Sequence, residues 1–175
     1  MHLGLKRNEV KLVPHDEEWS AEFVCIQEQI KNVLNVDEET IQHIGSTAIQ
    51  DISAKPVIDI LLGVENIHQV EAKTFKGLQT IGFYRLKVER ENEIILAKFT
   101  DGTFLEKTHY IHMTDINGVK WRNLLYFRDA LNADAPLRRE YEHLKQALMT
   151  KKGMEIIKYT DEKESFVNKV LSMKK

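Results

Sequence analysis

The sequence predicts an α+β fold in which one mixed, largely antiparallel sheet packs against helices. Three observations predict it: a run of helical spacing near the N-terminus, several short apolar or alternating runs in the middle, and helical spacing again in the last third. Strands grouped between groups of helices are typical of a sheet covered by helices. We expect a single domain over residues 1–175, with a helical C-terminal region over about residues 121–175.

The first third of the chain supplies one helix and two strands. Residues 1–7 are predicted to be a tail, and residues 9–13 a short strand or extended arm. A helix follows over residues 17–34, because its large apolar residues recur three and four positions apart. These residues are Trp19, Phe23, Ile26, Ile30 and Val33. Asp16 stands where it can cap this helix.

The rest of the chain gives further strands and then helices. A helix is predicted over residues 67–78, and Asp101-Gly102 marks the turn of an antiparallel hairpin. Pro136 suits the first turn of a new helix within the C-terminal region. The predicted strands are residues 40–44, 57–64, 81–86, 93–99 and 107–113. We expect them to form one sheet, with helices 17–34 and 121–172 packed on it.

Composition excludes several classes of protein. The net charge is only −2, so there is no strong nucleic-acid signal. Cys25 is the single cysteine, which excludes an internal disulfide and a cysteine-based zinc cluster. No apolar run has the length of a signal peptide or a membrane span. We expect a cytoplasmic protein without a membrane partner.

A phosphate-binding turn is predicted directly after the strand over residues 40–44. Gly45 allows the backbone to approach a ligand closely, and Ser46 adds a hydroxyl group. Lys55 follows in the next loop and would place a cation near that phosphate. The alternatives are a plain tight turn and a solvated loop lysine.

Asp59 is the strongest single candidate for a site residue. It interrupts the apolar strand over residues 57–64, and a carboxylate in such a strand is costly unless it is paired or bound to a metal. Carboxylate oxygen suits Mg²⁺ or Mn²⁺. The alternative is an acid at a strand end that caps nearby backbone.

Two histidines on the strand over residues 107–113 are candidates for a metal ligand or proton carrier. Because side chains alternate along a strand, His109 and His112 face opposite sides, and only one of them can face the site. Each has the alternative of a structural, hydrogen-bonded histidine, and His43 either lines the pocket or supports the turn. Glu91 and Glu93 are candidates for a further acid of the site, but they lie beside a predicted turn, where we expect surface exposure.

Several short segments resemble the GrpB family and, more broadly, the nucleotidyltransferase superfamily. In that superfamily a Gly-Ser turn is followed about a dozen residues later by a strand that carries metal-binding acids. The matching segments are His-Ile-Gly-Ser-Thr-Ala at 43–48, Ala-Lys-Pro-Val-Ile-Asp-Ile at 54–60, Thr-His-Tyr-Ile-His at 108–112, Leu-Tyr-Phe-Arg-Asp at 125–129 and Tyr-Glu-His-Leu-Lys at 141–145. They run in order from about Val13 to Leu171, so the resemblance covers most of the chain. It implies a nucleotidyltransferase-like sheet.

The resemblance also implies roles for individual residues. Gly45, Ser46 and Lys55 would contact phosphate, with Arg128 as a further cation. Asp59 would bind the metal, Mg²⁺ or Mn²⁺. His112 or His109 would assist it as a ligand or as a catalytic group.

One position departs from the superfamily pattern. Active nucleotidyltransferases usually carry a second acid two residues after the first, and this chain has Leu61 there. Two-metal phosphoryl transfer uses paired carboxylates. We therefore expect a protein that binds a nucleotide, such as a nucleoside triphosphate, or another phosphorylated small molecule with one divalent metal. The alternative is an active metal-dependent nucleotidyltransferase with an unknown acceptor.

Overall fold

The computed structural model describes the backbone of residues 3–6, 9, 11–88, 90–150 and 156–174, and the side chains of these residues except 150 and 156–162. The strands are β1 (Leu5–Lys6), β2 (Ile41–Ile44), β3 (Ile58–Val64), β4 (Phe83–Arg85), β5 (Ile94–Phe99) and β6 (Glu106–Asp115). The helices are α1 (Glu18–Leu34), α2 (Ala72–Thr80), α3 (Val119–Ala133), α4 (Ala135–Thr150) and α5 (Ile156–Ser172). Within the described residues, no helix is both long enough and apolar enough to cross a membrane.

The strands form one mixed sheet, which confirms the predicted fold class. The strand order is β2-β3-β6-β5-β4, and β1 pairs with β6. Only β3 and β6 are parallel, while the other pairs are antiparallel. The hairpin predicted around Asp101-Gly102 is formed by β5 and β6. All five predicted strands are present, with ends that differ by a few residues.

Of the two alternatives predicted for residues 9–13, a short strand or an extended arm, the described residues do not form the strand. Val13 makes only an isolated bridge with Ala54, and residue 10 lies outside the described residues. The sixth strand is instead β1, inside the predicted tail. Because β3 begins at Ile58, opposite His109, the first residues of β6 have no partner on that side, and β1 pairs with them through Leu5 and Lys107.

The helix predicted over residues 67–78 begins later than expected. Residues 67–69 form a short 3-10 helix, which the Asn66 side chain caps by accepting a hydrogen bond from the backbone N–H of His68. Val70 and Glu71 are extended, so the regular helix α2 begins at Ala72. The sequence also predicts that the helix after Pro136 ends at Gly153, a position that lies outside the described residues.

The main core lies between one face of the sheet and helices α1 and α2. The predicted stripe of α1 is buried there, and Trp19, Ile26 and Ile30 are at most 1% exposed. The alternate residues of β3, Ile58, Ile60 and Leu62, meet this stripe. The strict alternation of β3 therefore assigns Asp59 and Leu61 to the opposite face.

The C-terminal helices cover part of that opposite face. They pack around a second apolar cluster that includes Ile49 and Ile52 from the loop after β2. A smaller cluster of Ile44, Leu61 and Trp121 joins α3 to the sheet. Among the described elements, α3 packs on β2 and β6, and no helix makes a comparable contact with β5 or with this side of β4. A cleft is therefore left between the helices and the sheet.

Candidate functional site

The cleft between the sheet and the C-terminal helices has a volume of about 970 Å³ and collects most of the predicted site residues. Gly45, Ser46, Lys55, Asp59 and His112 all line it. They come from the β2–β3 connection, from β3 and from β6, which the parallel pairing of β3 and β6 brings side by side. The structure thus brings the turn, the acid and one histidine into one place.

The turn at Gly45 is built against the carboxylate of Asp59. Gly45 has φ 73° and ψ −173°, a region that is essentially restricted to glycine. A Cβ atom at this position would overlap the Asp59 carboxylate. The Ser46 hydroxyl lies 3.4 Å from the Tyr141 hydroxyl of α4, so the turn also meets the C-terminal helices. The glycine is required here by both backbone conformation and space.

His112 links Asp59 to a second acid. Its Nε2 lies 3.4 Å from Oδ1 of Asp59, and its Nδ1 lies 2.6 Å from Oε1 of Glu93. Burial acts to lower the pKa of His112, but the hydrogen bonds and negative charges of Asp59 and Glu93 outweigh burial and raise it to about 9. At neutral pH and without a metal, the imidazole therefore carries a positive charge between two carboxylates.

Glu93 is buried, so the expectation of surface exposure is wrong. Its side chain is 2% exposed and also pairs with Arg90 at 2.7 Å and Lys120 at 3.0 Å. Burial acts to raise the pKa of Glu93, but the hydrogen bonds from His112, Arg90 and Lys120 hold it well below its usual range. Alternation along the strand could have predicted this position. Glu93 lies two residues before Ile95, so both side chains point to the same face as His112, the register partner of Ile95.

The other two candidate histidines, His109 and His43, lie on the face of the sheet opposite to the cleft. Burial lowers the pKa of His109 to about 4, and its Nε2 lies 3.1 Å from Glu22 without the alignment of a hydrogen bond. His43 stacks on Phe23, with ring centroids 4.7 Å apart, and its Nε2 lies 3.0 Å from the Thr47 hydroxyl. Burial also lowers the pKa of His43 to about 4. The structure does not bring His109 to the cleft, and His43 supports the turn from behind.

Arg128 also lies outside the cleft lining. Its guanidinium donates hydrogen bonds to the backbone carbonyl of His43 at 2.9 Å and to the side chain of Gln42 at 3.2 Å. It pairs with Asp129 as well, at 2.7 Å. The observed contacts of Arg128 therefore brace the end of β2, directly before the Gly45 turn.

Replacing Arg128 with methionine is expected to lower the free energy of unfolding by about 2 kcal/mol, because the partly buried His43 carbonyl loses a charged donor. Urea denaturation checks this result. Arg122→Met is the matched control, since Arg122 is an exposed arginine of the same helix. Equal losses in both variants would contradict the bracing role.

The cleft concentrates positive charge. Of the described residues, seven lysines and arginines line it, against the two carboxylates Glu9 and Asp59. The cations are Lys6, Lys55, Arg90, Lys107, Lys120, Lys145 and Lys163. The net charge of the whole chain is −2 and gives no indication of this local excess of positive charge. Part of this charge is offset by Glu93, which pairs with Arg90 and Lys120, and by Glu142, which pairs with Lys145. The remaining excess of positive charge favours a ligand of the opposite sign.

Three of these lysines come together from separate segments. The pKa of Lys55 is lowered by burial and by the nearby positive charge of Lys163. Lys145, which is 4% exposed, donates to the backbone carbonyl of Ser53 and lies 3.2 Å from Glu142. Its pKa is also lowered, first by burial and then by Lys163, against the raising effect of Glu142. Clustered cations of this kind are stabilised by an added anion.

The possible metal ligands in the cleft are few. Asp59 and His112 present an oxygen and a nitrogen 3.4 Å apart. Within the described part of the chain, no group of three or more histidine, cysteine or acidic side chains is arranged to hold a metal ion. A metal at this position would need further ligands from water or from a bound phosphate.

Comparisons with known proteins agree on one family. The family model described as GrpB protein matches residues 9–173. The glutamate-rich protein GrpB of Alkalihalophilus pseudofirmus is 39% identical over 171 residues, which cover 97% of this chain and 98% of the relative. The protein YqkA of Bacillus subtilis is 31% identical over 166 residues, and that match spans only 47% of YqkA. The crystal structure of the conserved protein GrpB from Enterococcus faecalis superimposes with a TM-score of 0.74 at 25% identity, covering 91% of this chain and 94% of that chain.

Proposed function

The chain belongs to the GrpB family, and we propose that its cleft binds a nucleotide or another phosphorylated small molecule together with one divalent metal ion. The observation that carries the proposal is the convergence of the Gly45 turn, Asp59 and His112 in a cleft with seven cationic side chains. An anionic ligand gains from such a field, and carboxylate and imidazole groups are metal ligands. The comparisons name no ligand and no activity for this family.

The phosphate end of the ligand is assigned to the lysine cluster beside the turn. Burial and then the positive charge of Lys163 lower the pKa of Lys55, and Lys145 is fixed by Ser53 and Glu142 at the same end of the cleft. The Ser46 hydroxyl lies next to this cluster through its contact with Tyr141. An ammonium group acts on phosphate as a point charge, so three of them suit a ligand with several charged oxygens.

The metal would be held by Asp59 and His112. Glu93 fits this assignment because it binds Nδ1 of His112 and leaves Nε2 directed at Asp59, as carboxylates do behind metal-bound histidines. When bound, the metal would neutralise charge on the phosphate. A nitrogen ligand beside a single carboxylate suits Mn²⁺ better than Mg²⁺. Arg128 and His109 do not line the cleft, so any role for them in binding would be indirect.

Leu61 favours binding over transfer chemistry. The residue is fully buried against Ile44 and Trp121, so the position of the usual second acid belongs to an apolar cluster under α3. The cleft therefore lacks one carboxylate that two-metal transfer uses. One observation favours the alternative of an active nucleotidyltransferase: His112 is the register partner of Leu61 and reaches Asp59 from there.

Asp59→Asn tests the proposed site, because it keeps the shape of the side chain and removes its charge. We expect at least tenfold weaker binding of adenosine triphosphate in the presence of Mn²⁺, and a much smaller change in EDTA. Isothermal titration calorimetry measures both. Asp37→Asn is the matched control, since Asp37 is exposed and far from the cleft lining.

Equal affinity in the wild type and both variants would remove Asp59 from the site. The same proteins can be assayed for pyrophosphate release from triphosphates with a panel of acceptors. Release that depends on Asp59 would show that the alternative is right and that one carboxylate with a histidine suffices for transfer.

A further inference from the structure

We propose that the part of the sheet beside the cleft that no described helix covers binds a short single-stranded segment of nucleic acid, RNA or DNA. We call this surface the aromatic platform. It consists of Tyr84, Phe99, Phe104 and Tyr110. The proposal goes beyond the small-ligand site, because it assigns a second ligand to a surface that adjoins the cleft and shares Tyr110 with its lining.

Three rings of the platform, Tyr84, Phe99 and Phe104, support one another, and two of them are exposed while Phe99 is partly buried. The ring centroid of Phe104 lies 5.1 Å from those of both Tyr84 and Phe99, with interplanar angles of 83° and 75°. Phe104 is 50% exposed, Tyr84 is 36% exposed, and the neighbouring Leu105 is 64% exposed. Single exposed apolar residues are ordinary on protein surfaces, but a contiguous group of this kind marks a binding surface.

The platform is continuous with the cleft through one row of residues across the sheet. Asp59 pairs in register with Tyr110, Tyr110 with Ala97, and Ala97 with Tyr84. Cross-strand partners project to the same face, so all four residues lie on the side of the sheet that forms the cleft. Three strand spacings separate Asp59 from Tyr84, a distance of about 14 Å. At about 3.4 Å per stacked nucleotide, this span suits roughly four nucleotides.

The charge beside the rings favours nucleic acid as the occupant. Lys107 lies with its Nζ 5.5 Å from the Tyr110 ring centroid, and it lines the cleft together with Lys6. Two acids, Asp101 and Glu106, also lie at this edge and accept hydrogen bonds from Thr103 and Thr100, so the positive charge is confined to the cleft side of the rings. Aromatic faces next to a cationic groove are the combination that binds single strands, because bases stack on the rings and phosphates contact the lysines. An apolar protein partner would use the rings and leave the lysines without a role.

Fluorescence anisotropy with labelled octamers of uridine and of thymidine tests this proposal. Phe104→Ala is expected to weaken binding by about tenfold or more, the usual loss when a base loses an aromatic partner. Met173→Ala is the matched control, because Met173 is 49% exposed and lies outside the platform. Phe104 is a surface residue, so we expect the variant to keep the thermal unfolding midpoint of the wild type.

The salt dependence gives a second readout. Lys107→Ala should reduce the slope of log K against log salt by about 0.7, the value for one phosphate contact on a single strand. Lys76→Ala, at an exposed site on α2, should leave the slope unchanged. A preference between the two octamers would identify the sugar that the surface accepts.

The proposal is overturned if neither octamer binds at low salt, or if Phe104→Ala and Met173→Ala bind equally well. It is also overturned if sedimentation shows a dimer that Phe104→Ala dissociates while no octamer binds, because the platform would then join two copies of the chain. Binding of adenosine triphosphate to the cleft should be the same in Phe104→Ala and the wild type. A loss of octamer binding with unchanged binding of adenosine triphosphate therefore concerns the aromatic platform alone and leaves the small-ligand site intact.

Discussion

Gly45→Ala is expected to lower the free energy of unfolding by about 3 kcal/mol or more and to abolish ligand binding in the cleft. The backbone at Gly45 has a conformation that costs any other residue about 1–3 kcal/mol. The added Cβ would also overlap the Asp59 carboxylate, and forcing an atom into packed space costs about 1–3 kcal/mol more. Urea denaturation measures the first effect, and calorimetry with Mn²⁺ and adenosine triphosphate measures the second.

Gly102→Ala is the control for this prediction. Gly102 lies in the β5–β6 hairpin, and a Cβ there would meet no atom within 4 Å. We expect this variant to match the wild type in stability and in binding. A Gly45→Ala protein that kept both properties would show that the turn can move away from Asp59, and the site geometry described above would then be wrong.

The sequence predicted the sheet because its strands carry clear periodic signals. Residues 57–64 are almost continuously apolar, and β3 is indeed buried on both faces. The sequence did not predict β1, because two residues are too few to show an alternation of apolar and polar side chains. Leu5 becomes a strand residue only because β6 extends beyond the start of β3 and offers it a partner. Such pairing depends on the assembled sheet and not on local preference.

The candidate site was likewise predicted only in part from the sequence. Short local patterns predict Gly45, Ser46 and Asp59 as site residues but leave open whether His109 or His112 faces the site, and the structure brings His112 to the first three. Lys145 ends the matching segment at 141–145, but nothing in that segment predicts its place in the cleft, which depends on how α4 packs against the loop at Ser53. The resemblance suggested Arg128 as a cation, but only the three-dimensional contact with His43 shows which groups its guanidinium binds.

Glu93→Gln is expected to lower the free energy of unfolding by about 3–5 kcal/mol near pH 6, the usual result of breaking a buried ion pair. The Glu93 side chain is 2% exposed and faces His112, Arg90 and Lys120, so a neutral amide would leave three cations without their shared acid. Glu91→Gln is the matched control, because Glu91 lies two residues away and is exposed. Equal stability of the two variants would contradict this account of the network.

The same network predicts how stability depends on pH in a metal-free buffer. The pKa of His112 is raised from 6.5 to about 9 in the folded protein, so its contribution is complete below pH 6.5 and is lost as pH rises through 9. That shift corresponds to about 3 kcal/mol. The pKa of Glu93 is lowered, so its contribution is present above its ordinary value of 4.5 and is lost as pH falls below it. The network therefore stabilises the fold most between about pH 4.5 and 6.5.

Urea denaturation of the wild type and Glu93→Gln from pH 5.5 to 9.5 checks this dependence. The wild type should lose stability between pH 6.5 and 9, and the variant should lose less, because Asp59 alone then raises the pKa of His112. Titration of the His112 ring by NMR should show the pKa falling in the variant. A wild-type curve that stays flat over this range, with a His112 ring that titrates near 6.5, would show that the imidazole carries no charge between the two acids.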